Sequence, residues 1–129
     1  MAYTPDMKAA ARRFAQAAAR LDDDAHFAVA AYLFGLAAEC ALKFVAAQLA
    51  GGRSDDIQRA HLPALRTALR QLQFGRTGAG LRRLVESDDF MNQWAIEIRY
   101  ARKEDLHAKP IAKWRQNATD AVNLMNGWS

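Results

Sequence analysis

The sequence has few of the residues that interrupt helices: three prolines and seven glycines in 129 residues. That excludes a collagen-like chain and a Pro/Gly-rich disordered one. Cysteine occurs once, at Cys40, so no internal disulfide holds the fold and a cytoplasmic home is expected. The three histidines, His26, His61 and His107, have no histidine partner one helical turn away. Zinc and di-metal sites need such spacing, and no metal or other cofactor is expected. The serines at 54, 87 and 129 lack the surroundings of a nucleophile elbow. Walker and dinucleotide-binding patterns are missing too. Gly75-Arg76-Thr77-Gly78-Ala79-Gly80 is rich in glycine, but it follows a helical pattern and has no lysine, so it reads as a loop. Residues 1–13 are polar and basic with no apolar run, and no secretory leader is expected. No stretch alternates apolar and polar residues with β-branched enrichment, so no strand is expected.

What is present favours helices. Alanine makes up about a fifth of the chain, within 51% hydrophobic and 25% charged residues. The length suits one domain with one core, residues 1–129. Thr4-Pro5-Asp6 reads as a helix start, with Thr4 as cap. Met7, Ala10, Ala11, Phe14, Ala18 and Leu21 follow at helical spacing. Asp22-Asp23-Asp24 opens a second helix, running from about 24 to 50 and ended by Gly51-Gly52. That helix is apolar nearly all round, as a central helix is. Glu39 and Lys43 within it argue against a membrane span. One narrow stripe differs: Ala28, Tyr32, Gly35, Glu39, Lys43 and Ala46, small enough to admit another backbone.

Residues 51–60 read as a polar loop, and His61-Leu62-Pro63 opens a third helix. A short helix is expected near 81–86, another segment from Phe90 to about Ala101, a loop over 102–109, and a last helix after Pro110. The expected fold is all-α, an up-and-down antiparallel bundle of four to five helices with short connections.

Charge is uneven. Arg59, Arg66, Arg70, Arg76, Arg82 and Arg83 fall between 57 and 83 with no Asp or Glu among them. The net charge of +4 leaves the rest of the chain at −2. These arginines are either an RNA-backbone footprint or a solvated face.

Two constellations carry chemistry. Glu39, on a mostly buried helix, needs a partner. Lys43 one turn on, or Arg99 across the bundle, could supply it. The result is either a structural ion pair or a polar ligand pocket lined by Tyr32, Glu39, Lys43, Arg99 and Tyr100. The second constellation is Arg102 and His107, with four residues between. Arginine stabilises charge on a scissile phosphodiester. Histidine as a residue type exchanges protons near neutral pH. The pair can cleave RNA without a metal; as a chance spacing it is only a solvated loop.

The run Tyr32-Leu33-Phe34-Gly35-Leu36-Ala37-Ala38-Glu39-Cys40-Ala41-Leu42-Lys43 resembles the second-helix motif of the HEPN family (higher eukaryotes and prokaryotes nucleotide-binding). His61-Leu62, the Trp94–Tyr100 segment and the alanine-bearing last helix are similar to that family in the same order. The resemblance implies a four- to five-helix bundle, usually a homodimer. Many members are RNA-cleaving toxins or processing nucleases with an Arg, four to six residues and a His near the last helix. Arg102 and His107 match that spacing. Lys103 stands where a polar Asn, Asp or His usually follows the Arg, and Lys109 where an aromatic is common. Other members lack the motif and accompany nucleotidyltransferases or bind nucleotides. Two readings therefore stand. One is a metal-independent endoribonuclease of a toxin–antitoxin or defence system, with an antitoxin partner. The other is a non-catalytic nucleotide- or ligand-binding module beside a nucleotidyltransferase. A purely structural dimerisation domain is the third alternative. Neither leading reading calls for a membrane.

Overall fold

The structure, a computed structural model, describes residues 3–128, and among them every regular element is helical. Three helices are long: α1 (Met7–Arg20), α2 (Phe27–Ala47) and α7 (Ile111–Asn126). Between α2 and α7 lie α3 (Asp55–Gln58), α4 (Ala64–Arg70), α5 (Ala79–Glu86), a 3-10 helix (Ile96–Tyr100) and α6 (Lys103–His107).

The expected up-and-down order is not what side-chain contacts show for the long helices. Lys8 of α1 lies over the ring of Phe44, near the end of α2, so these two helices run antiparallel. Arg12 of α1 donates to Asn126 Oδ1 at the end of α7, and Arg115 near its start pairs with Asp22 just after α1. Helix α7 is therefore antiparallel to α1 and parallel to α2. Joining two parallel helices requires a return path, and residues 48–110 provide it as a chain of short helices and turns. Short helices suit this path because each need bury only one or two anchors: Ile57, Leu65 and Leu69, Leu81 and Val85, or Leu106.

Helix boundaries follow local hydrogen bonding. Asp6, not Thr4, caps α1: its Oδ1 accepts from the Ala9 N–H at 3.0 Å. Asp23 accepts from the N–H groups of Ala25 and His26 at 2.9 and 2.8 Å, and α2 starts three residues later than the acidic run suggested. The contact with the His26 ring holds the Asp23 carboxyl below its usual range. At the other end α2 stops at Ala47, and Arg53 Nε covers the Ala47 carbonyl at 2.8 Å. The chain then turns at Gly51, whose φ of +82° suits glycine.

Helix α2 has the length and apolar composition that could cross a membrane, yet here most of it is buried between α1, α7 and the return path. Its narrow stripe receives that path. Trp94 lies against Gly35, where a Cβ would come within 1.7 Å of the indole. Its Nε1 donates to the Ala31 carbonyl at 3.0 Å. The small residue thus admits an aromatic ring rather than a backbone.

The segment from Phe90, expected to be regular to about Ala101, is instead a tight turn followed by the 3-10 helix. Met91 and Gln93 take positive φ of 50° and 70°, a conformation that costs energy outside glycine. Helix α7 fixes that turn: Asn117 Oδ1 accepts from the Met91 N–H, and Trp114 Nε1 donates to the Asn92 carbonyl, both at 2.8 Å. Burying Phe90, Met91 and Trp94 together favours the turn over a helix.

Candidate functional site: the 96–107 face

Helix α6 is held by one buried residue, Leu106, while Arg102, Lys103, Glu104, Asp105 and His107 are exposed. The stretch expected to be a loop is thus a short helix. Arg102 is its N-terminal flanking residue, with extended backbone, and His107 is its last residue. A rise of 1.5 Å per residue puts the two about 7.5 Å apart along the axis.

Phe27, the first residue of α2, orders this helix from below. Its ring lies 4.7 Å from the His107 imidazole, centroid to centroid. The Lys103 ammonium stands over the same ring at 5.4 Å. Lys103 and His107 are four apart, so one face of α6 rests both side chains on one aromatic ring. The sequence pattern does not single out Phe27. Nothing in its local pattern separates it from the other apolar residues of α2.

Just before α6, the 3-10 helix ends in Arg99 and Tyr100. The Arg99 guanidinium lies 4.7 Å from the Tyr100 ring centroid, and Tyr100 is 77% exposed. The Tyr32 hydroxyl beside Arg99 pushes the guanidinium pKa further up. Tyr32 in turn stacks on Trp94, with ring centroids 6.3 Å apart and planes 14° apart. A groove of about 300 Å³ runs here, lined by Ala28, Val29, Tyr32, Ile98, Arg99 and Ala101. The stretch therefore exposes Arg99, Arg102, Lys103 and His107, together with Glu97, Glu104 and Asp105, beside an exposed aromatic ring.

The structure does not gather the five residues of the expected ligand pocket. Tyr32, Arg99 and Tyr100 are together, but Glu39 and Lys43 are not with them. Glu39, 2% exposed, pairs with neither Lys43 nor Arg99. Its Oε2 meets His61 Nδ1 at 3.0 Å, and its Oε1 accepts from the Leu62 N–H at 2.8 Å. It ties the residues just before α4 onto α2. The separation of 22 residues hid this pairing in the sequence. Cys40 beside it is packed, and burial pushes its thiol up to about 11, so it is a poor nucleophile.

The six arginines divide. Arg66 donates to the carbonyls of Val85 and Ser87, both at 2.8 Å, and clamps the end of α5. Arg82 reaches Glu86 and the Leu72 carbonyl and lies near the Phe74 ring. These two are engaged within the fold. Arg59, Arg70, Arg76 and Arg83 are exposed and make no side-chain hydrogen bond among the described residues.

Comparison of this chain with family models, with curated proteins and with solved structures found no match.

Proposed function

We propose that the chain is a HEPN-like protein that acts on single-stranded RNA, cleaving it without a metal. The carrying observation is the exposed face in which Arg99–Tyr100 leads directly into α6, flanked by Arg102 and ending in His107. An exposed ring offers a stacking platform for a base, and cations beside it track the phosphates. Arg102 would hold the scissile phosphate and stabilise its developing charge. His107, its ring supported by Phe27, would move the proton at the ribose 2′-OH. A second copy of the chain would bring a second Arg102–His107 pair, and an antitoxin would restrain the toxin form. Arg59 borders a pocket at the far end of α2 and is not part of this face.

The test is RNA binding across a salt series. Contact with three phosphates at the face gives a log–log slope of about −2. Tyr100→Ala should weaken binding by a salt-independent factor, whereas Arg99→Ala should also flatten the slope. A flat response in the unsubstituted protein contradicts the reading.

The groove at Tyr32 and Arg99 favours a second reading, a nucleotide-binding module partnering a nucleotidyltransferase. Saturable thermal stabilisation by a mononucleotide, lost in Tyr32→Ala, supports it.

A further inference from the structure

Arg99 differs from the other arginines that the fold orders. Arg66, Arg82 and Arg115 are engaged by carbonyl oxygens or carboxylates. Arg99 is held by aromatic groups instead. Its guanidinium lies 4.7 Å from the Tyr100 ring centroid, and the Tyr32 hydroxyl is beside it. Among the described residues no carboxylate pairs with it, although Glu97 precedes it by two residues on the same 3-10 helix. Tyr32 is itself fixed, because it stacks on Trp94, whose indole N–H is taken by the Ala31 carbonyl. Aromatic packing thus runs from a buried indole out to an exposed cation whose donors no anion has claimed.

That cation borders the groove of about 300 Å³. Ala28, Val29, Ile98 and Ala101 give the groove apolar walls, and Tyr32 and Arg99 are its only polar side chains. Apolar walls with one or two placed polar groups suit a flat heterocycle. A guanidinium only donates, through a planar fork. It therefore needs two adjacent acceptors. Guanine offers O6 and N7, and unpaired cytosine offers O2 and N3. Adenine sets an amino donor beside N7, and uracil has an N–H between its carbonyls. Of the two bases that fit the fork, the larger guanine covers more of the apolar wall and stacks more strongly.

We propose that this groove takes one base of the RNA and that Arg99 selects it as guanine, through O6 and N7. The inference rests on the single-stranded RNA reading of the 96–107 face and adds a base preference to it. Tyr32 is the positioning residue, since its hydroxyl sets where the guanidinium points. Tyr100, at 77% exposure, keeps ring surface for a neighbouring base.

The test is equilibrium binding of a uridine hexamer and of hexamers whose third base is guanine, adenine or cytosine, with His107→Ala protein so that the RNA is not cut. The guanine hexamer should bind at least about fivefold more tightly than the other three. Inosine keeps O6 and N7 and should match guanine, whereas 7-deazaguanine, which lacks N7, should lose most of the gain. Adding Arg99→Lys keeps the charge and the salt slope but should erase the preference. Tyr32→Phe should reduce the preference and leave the uridine hexamer unaffected. The base analogues keep the test decisive if either variant does not fold. Binding of no hexamer overturns the RNA reading and this inference together. Equal binding of all four, a cytosine hexamer matching guanine, full binding of 7-deazaguanine, or a preference that survives Arg99→Lys overturns this inference alone.

Discussion

A carboxylate as deeply buried as Glu39 cannot stand without partners, and both of its oxygens have them. Removing it strips a backbone N–H and an imidazole of their acceptor at once. Glu39→Ala should cost about 3 kcal/mol in urea unfolding. Glu39→Gln should cost less, because its amide oxygen can still accept from Leu62. Cys40 reports on the same helix through pH. Its thiol is pushed from 9.0 up to about 11, first by burial and then by Glu39, against the pull of Lys43. Above pH 9 the unfolded chain releases this proton while the folded chain keeps it. Stability therefore falls with rising pH between about 9 and 11. Against Cys40→Ala, the unsubstituted protein should lose more stability over that window, and its thiol should resist alkylation at pH 8. Equal losses in both proteins would contradict the burial of Cys40.

The elements differ in how plainly the sequence announces them. Helices α1 and α7 carry apolar spacing over about four turns, and α2 is a long apolar run bounded by Asp22–Asp24 and Gly51-Gly52, so the sequence pattern locates all three. The unusual stripe on α2 is visible too, since Gly35 and Glu39 break an apolar pattern. What lands on it is not visible, because Trp94, His61 and Leu62 arrive from 22 to 63 residues away. Short elements such as α3 and α6 offer no more than about one turn of pattern, which cannot distinguish a helix from a loop. The turn at 90–94 leaves no local signal, because the partners that satisfy it, Trp114 and Asn117, lie on α7. Gly35→Ala tests the docking of this turn. The added Cβ must displace the Trp94 ring. Tryptophan emission should shift to the red, with a loss of about 1–3 kcal/mol. An unchanged spectrum and stability would mean that Trp94 does not depend on Gly35 for its seat.

At the scale of the whole molecule, α2 acts as the axis around which the other parts are placed. Its first residue, Phe27, supports His107; its middle receives Trp94 and the residues leading into α4; its last turns meet the start of α1. The parallel run of α2 and α7 brings the beginnings of both helices to one end, and the 96–107 face sits there. The Arg102–His107 spacing was legible in the sequence, and so was the Arg99–Tyr100 pair. Their support by Phe27 and Tyr32 was not, because it depends on how the return path closes onto α2. The proposed chemistry lives on this face. The most direct measurement is RNA cleavage by the purified protein in EDTA, beside Arg102→Ala and His107→Ala variants that unfold at the same temperature as the parent. The account predicts cleavage by the parent and a loss of at least about 100-fold in each variant. No cleavage at high protein concentration, or cleavage undiminished in both variants, would contradict it.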